Sequence, residues 1–139
     1  MSIKAIPLLI FSLILYNAIA FFGGGENPVD IFQAELFEIT MPLGGQWRFH
    51  VGDLLIITSL VLLGIEVIKA TYTRGAGLAD QALSMILAVI CLVEFLLVPQ
   101  AATSIFFMIM IMTMIDVIAG AIIGIRTARR DIGIGAGLG

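Results

Sequence analysis

Four carboxylic acids stand within or at the edges of long apolar runs in this chain: Asp53, Glu66, Glu94 and Asp116. Ionisable groups at such positions are costly, so each marks either a functional site or a buried pairing. Asp53 follows Gly52 and reads as the N-cap of a helix. Glu66 stands one turn before Lys69, which makes a local ion pair the natural partner, with the arginines that follow the last apolar run as an alternative. Glu94 stands five residues before Pro99, about 7.5 Å below a helix end, with no basic residue near it in sequence. Its candidate partners at that depth are Tyr16, Asn17, Thr58, Ser59 or an inward-folded Arg48. Asp116 lies twelve residues after Ser104. That is about 18 Å along a helix, near the middle of a hydrocarbon core of about 30 Å. No lysine, arginine or histidine is expected to reach it easily. Three chemistries fit Glu94 and Asp116: a proton or cation relay, hydrogen bonding across helix interfaces, or a charge handle for a basic residue on another subunit.

The elements that must position these acids follow from hydropathy. The chain has 139 residues, 60% of them hydrophobic and only 12% charged, with a mean hydropathy of +1.15. Soluble domains carry about 25% charged residues, so a water-soluble globule is excluded. The length allows a single domain, here an integral membrane one. The net charge of −3 provides no basic stripe for nucleic acid. Apolar runs over about 5–22, 53–69, 82–98 and 104–125 approach or reach the roughly 20 residues that span a bilayer. The expected fold is therefore an all-α membrane protein, a bundle of four transmembrane helices.

Lys4, Lys69, Arg74, Arg126, Arg129 and Arg130 fall on one side of this layout and Arg48 alone on the other. The positive-inside pattern then places both termini in the cytoplasm. Lys4, the first apolar run and Ala18-Ile19-Ala20 also have the form of a signal peptide. Phe21 and Phe22 carry the apolar run past that small-residue site, which favours a retained helix.

Residues 23–52 form the external segment. Gly23-Gly24-Gly25 ends the first helix. Asn27 as N-cap, Pro28 at the first position and Asp30 in the first turn open a short helix, with Val29, Phe32 and Leu36 on one face. Such a helix would rest on the membrane surface. The period then changes to two. Phe37, Ile39 and Met41 alternate with polar residues, as do Trp47, Phe49 and Val51, around the turn Pro42-Leu43-Gly44-Gly45. This predicts a β-hairpin pairing Met41 with Trp47, Ile39 with Phe49 and Phe37 with Val51, which sets Glu38 opposite His50 and Thr40 opposite Arg48. Trp47 is an interfacial anchor of the aromatic belt, as Arg126, Arg129 and Arg130 are at the other end. Arg74 to Gly77 reads as a loop, Asp80 as an N-cap, and 131–139 as a flexible tail.

On the last apolar run Thr113, Asp116, Gly120, Gly124 and Thr127 form one stripe, and Gly120 to Gly124 is a GxxxG spacing that permits close helix approach. Ser84, Ala88 and Cys91 form a similar small-residue face, and the two faces are expected to meet. Met108, Met110, Met112 and Met114 crowd the same helix; a thioether copper path is the sharp reading and adaptable packing the plainer one, since no cysteine or histidine joins them. The single cysteine, Cys91, allows no internal disulfide. One histidine, no serine with an evident base, no phosphate-binding loop and no ligand cluster predict no enzyme, no cofactor and no metal.

The run Met41-Pro42-Leu43-Gly44-Gly45-Gln46-Trp47, with Gly52-Asp53, Glu66-Val67-Ile68-Lys69-Ala70-Thr71 and Glu94-Phe95-Leu96-Leu97-Val98-Pro99, resembles small four-helix inner-membrane proteins of proteobacteria. The resemblance spans most of the chain from the hairpin onwards. It implies bacterial inner-membrane placement and brings no functional residues with it. Two functions are then expected as alternatives. One is an accessory or structural subunit docking on a larger membrane complex. The other is a small oligomeric transporter or channel subunit moving protons or cations past Glu94 and Asp116. The expected partners are the lipid bilayer and other membrane subunits or further copies of the chain.

Overall fold

The computed structural model describes residues 6–23, 27–72 and 78–137. In chain order it forms α1 (Leu9–Phe22), α2 (Pro28–Phe32), β1 (Glu35–Thr40), β2 (Gln46–His50), α3 (Val51–Tyr72), α4 (Leu78–Leu97), a 3-10 turn (Pro99–Ala101) and α5 (Ser104–Gly137). Three helices are long and apolar enough to cross a membrane: Val51–Tyr72, Leu78–Leu97 and Ser104–Arg130. The fourth apolar helix, α1, is shorter, 14 residues or about 21 Å. Large apolar side chains such as Ile57, Leu60, Val89 and Ile118 stay about half exposed along these helices, a surface made for lipid. The chain is a membrane protein.

Local chemistry explains each boundary. Pro99 holds Val98 in an extended conformation, φ −102° and ψ 115°, so α4 stops there. Thr103 then caps α5, its Oγ1 accepting the Phe106 N–H at 3.2 Å. α3 follows β2 without a linker. Asp53 is therefore not its N-cap but an acid in its first turn that reaches back, Oδ2 accepting the His50 N–H at 2.9 Å. α5 does not end near residue 125; it continues to Gly137, through most of the stretch expected to be a flexible tail. Once nucleated, a helix adds one hydrogen bond per residue fixed, which carries it across the small residues there. The expected loop at Arg74 to Gly77 and the breaks at Gly24 and Gly25 lie outside the described residues.

α2 is also shorter than its apolar spacing suggests. It ends at Phe32, and Leu36 belongs to β1. Phe32 turns inward and stacks on Tyr16 of α1, with ring centroids 4.7 Å apart. The side chain of Val29 lies outside the described residues. The hairpin forms, in a register two residues from the expected one: Ile39 faces Trp47, Phe37 faces Phe49 and Glu38 faces Arg48. A slip of two keeps every side chain on its original face, so alternation alone does not choose between these registers. Charge and turn geometry do. Arg48 Nε lies 3.7 Å from Glu38 Oε2 and 3.9 Å from Glu35 Oε2. The loop closes through Met41 N–H to Gly45 O at 2.7 Å, with Gly44 at φ +88°, where only glycine is unstrained.

α5 is the central helix, packed against both α3 and α4, while α1 lies mainly on α3. Phe106, Ile109, Met110 and Thr113 follow helical spacing and are buried, and Asp116 continues their stripe at 6% exposure. Leu9, Leu13 and Tyr16 of α1, Leu55 and Leu63 of α3, and Leu87 and Cys91 of α4 complete the core. Met110 and Met112 belong to this core, Met114 packs against it and Met108 is exposed.

Candidate functional site

The acids fall into two groups, one towards each end of the helices. The first lies where α3, α4 and α5 converge at the end away from the hairpin. Glu66 and Lys69 of α3 form the expected pair, with Nζ 3.2 Å from Oε1 and 3.4 Å from Oε2. The carboxylate has a second duty that spacing could not reveal. The Leu8 backbone N–H, at the start of α1, donates to Glu66 Oε2 at 3.1 Å. α1 has no side-chain cap and no acid in its first turn. Glu66 thus supplies the negative charge and the acceptor that this helix start needs.

Asp116 joins the same group. Its carboxyl lines the same small space as Ser84 of α4 and lies within electrostatic reach of Glu66 and Lys69 of α3. Lys69 thus comes nearer to Asp116 than depth counted along α5 alone suggests, both lining one small space. Both helices start at the hairpin end and run the same way. Glu66 is 15 residues from Val51, about 22 Å, and Asp116 is 12 residues from Ser104, about 18 Å. The two acids stand within one turn of the same level, and the Lys69 stem bridges the rest. Beside them Gln81 of α4 donates from Nε2 to the Val117 carbonyl at 3.0 Å. Gly120 makes this approach possible, since a Cβ there would stand 2.6 Å from Gln81 Oε1. Gly124 does not share that role: nothing lies within 4 Å of a Cβ built on it. The GxxxG spacing is thus half used. Glu66, Lys69, Asp80, Gln81, Ser84 and Asp116 line a half-open space of about 30 Å³, room for about one water.

The second group lies nearer the hairpin end. Glu94 lies beside Asn17 of α1, whose Nδ2 donates to the Leu13 carbonyl at 3.1 Å. The other expected partners are engaged elsewhere. Tyr16 donates its hydroxyl to the Gln100 carbonyl at 2.8 Å and stands 2.6 Å from Thr103 Oγ1. Thr58 and Ser59 bond back to Leu54 and Leu55 carbonyls of their own helix at 2.8 and 2.7 Å. Arg48 stays on the hairpin. Between the two groups Cys91 of α4 and Thr113 of α5 are both fully buried, and Thr113 Oγ1 donates to the Met110 carbonyl at 2.6 Å. Ala88 is partly buried on the same α4 face.

The remaining anchors stay at the surface. Trp47 is 45% exposed and meets Phe37 and Phe49 edge to face. Arg126, Arg129 and Arg130 are exposed on the far part of α5. Asp53 also stands 3.1 Å from His50 Nδ1. Among the described residues no cluster of three or more histidine, cysteine or acidic side chains is placed to hold a metal. Residues the sequence argument passed over include Gln81 and Gly52. A Cβ on Gly52 would meet Ile105 Cδ1 at 2.7 Å and the Phe32 carbonyl oxygen at 3.1 Å, so glycine there lets the external turn close onto α5. Ser12 Oγ is buried with no hydrogen-bond partner among the described residues.

No protein-family model, curated protein or solved structure matches the chain.

Proposed function

We propose that this chain is a four-span protein of a bacterial inner membrane that serves as a structural or accessory subunit of a larger membrane complex. The observation that carries this reading is the way the buried acids are used. Glu66 ties α1 to α3 through the Leu8 amide, Asp116 is buried on α5 beside the Gln81–Val117 bond that joins α4 to α5, and Glu94 of α4 lies beside Asn17 of α1. The space beside Asp116 has room for about one water. Groups arranged in this way join helices, whereas a relay calls for a continuous wet path between them.

Further observations support the placement. α1 is short, yet its first amide is sunk to the level of Glu66, six residues or about 9 Å inside the end of α3. Lys69, Arg126, Arg129 and Arg130 gather at the end away from the hairpin, and by the positive-inside rule that end is the cytoplasmic one in this reading. The hairpin then stands outside with Phe37, Ile39, Met41 and Trp47 each more than 40% exposed. A two-stranded hairpin is marginal by itself, and this apolar face suits a neighbouring subunit.

A tagged copy extracted gently from its native membrane tests the reading by mass spectrometry of what co-purifies. A stoichiometric membrane partner is expected. A monodisperse monomer, recovered alone under conditions that preserve other membrane complexes, would remove the proposal.

A further inference from the structure

The outer side of α5 changes chemistry along its length. Ile115, Ile118 and Ile122 stand 46%, 58% and 50% exposed. Arg126 and Arg129 continue the same steps of four and three, and Arg130 stands beside them. At about 100° per residue all six fall within an arc of about 120°. Arg126 lies 22 residues after Ser104, about 33 Å along the helix, against a hydrocarbon core of about 30 Å. That is the level where acyl chains give way to headgroups. From Ile115 to Arg126 is about 16 Å, the depth of one leaflet. α5 has also outrun its neighbours there. α3 ends at Tyr72, six residues beyond the level that Glu66 shares with Asp116, and nothing lies within 4 Å of a Cβ built on Gly124. The three arginines are exposed, and no ion pair joins them to a carboxylate among the described residues. Asp131 follows at about 140° around the helix from Arg126.

We propose that this stripe binds an anionic phospholipid, its phosphate held by Arg126 and Arg129 and an acyl chain lying along Ile122, Ile118 and Ile115. Charge complementarity selects the headgroup. A guanidinium meets a phosphate through two parallel hydrogen bonds, and three guanidiniums on one face leave a positive charge that an anionic lipid neutralises. A zwitterionic headgroup brings its own ammonium to the same place and cancels most of the gain. The continuity of the isoleucines with the arginines commits the site to a lipid, because one molecule then covers both. The inference rests on α5 crossing the bilayer. It does not depend on which end faces the cytoplasm or on a subunit role.

Native mass spectrometry of the purified full chain in an equimolar mixture of phosphatidylglycerol and phosphatidylethanolamine with identical acyl chains tests the site. The single-lipid adduct is expected to favour phosphatidylglycerol about tenfold, between what one and two engaged arginines give at an anionic lipid. Arg126→Gln with Arg129→Gln should bring the preference to within about twofold of parity. These side chains are exposed, so the fold, read by helical circular dichroism, should not change. Arg48→Gln removes a positive charge on the hairpin and should leave the preference intact. A phosphatidylglycerol with a diazirine midway along one acyl chain should cross-link to α5 between Ile115 and Ile122. Equal binding of both lipids by the wild type, a preference that survives the double variant, or one lost equally with Arg48→Gln would overturn the proposal. So would cross-links confined to other helices, or a partner protein cross-linking to Ile122→Cys in native membranes. The premise is checked separately in a Cys91→Ala background with a membrane-permeant maleimide, which should label Ile132→Cys and spare Ile118→Cys. Ready labelling of Ile118→Cys would place this face of α5 in water and remove the membrane reading of the helix. Protection there without a headgroup preference would remove only the lipid site.

Discussion

Replacing Glu66 by leucine should loosen α1 from the rest of the protein. The wild-type carboxylate accepts the Leu8 N–H at 3.1 Å and pairs with Lys69 at 3.2 Å. Leucine has similar bulk and no acceptor, so the amide at the start of α1 is left without its carboxylate at a part-buried position. A hydrogen bond to a charged group contributes about 1.5–3 kcal/mol, and a negative charge at a helix start adds about 0.3–1 kcal/mol. Polar contacts between membrane helices are measured lower, about 0.6 kcal/mol on average, because the unfolded helices find other partners in lipid. The balance is a loss of about 2 kcal/mol for Glu66→Leu, roughly 30-fold in the folding equilibrium. Glu66→Gln keeps an acceptor for Leu8 and gives up the charge, and should lose about half as much. The assay is equilibrium unfolding in mixed detergent micelles with increasing dodecyl sulfate, followed by helical circular dichroism and by fluorescence of Trp47, the single tryptophan. Stability of Glu66→Leu within about 0.5 kcal/mol of wild type would refute the capping role of Glu66, because it falls well below the loss of about 2 kcal/mol expected. So would equal damage from glutamine and leucine, since only leucine removes the acceptor.

Tyr16→Phe removes the hydroxyl that bonds Gln100 and Thr103 while keeping the stack on Phe32, and should cost about 1–2 kcal/mol in the same titration. Gly52→Ala should destabilise by about 1–3 kcal/mol, because its new methyl meets a backbone carbonyl as well as Ile105. Gly124→Ala should be neutral or mildly stabilising, within about 1 kcal/mol, because the space beside it is open. In a Cys91→Ala background, Ile39→Cys with Trp47→Cys should oxidise to a disulfide readily and Met41→Cys with Trp47→Cys should not, which a gel-shift assay reads directly.

Much of the architecture is legible in the residue pattern, and the exceptions share a cause. Hydropathy and period locate the apolar helices and the hairpin because each obeys a local rule. What escapes is whatever depends on the level of one element against another. The hairpin register differs by two residues, a slip that leaves the alternating pattern intact, and the Glu38–Arg48 pairing selects between the options. Gly120 and Gly124 are alike in sequence, but only Gly120 meets a neighbour, because Gln81 reaches the Val117 carbonyl beside it. Asp116 looks isolated when its depth is counted along α5 alone. Its relation to Lys69 follows from α3 and α5 starting at the same end, and from α3 beginning at Val51 rather than Asp53. The capping of α1 by Glu66 joins residues 58 positions apart and leaves no local trace.

The most direct test of a structural role for the buried acids is ion flux. The purified chain is reconstituted into liposomes enclosing a pH-sensitive dye, and a membrane potential is imposed. The account predicts acidification no faster than in empty liposomes, with Asp116→Asn and Glu94→Gln indistinguishable from wild type in flux. Proton entry above that background, abolished by Asp116→Asn in protein that remains folded, would contradict it and make the carboxylates a relay.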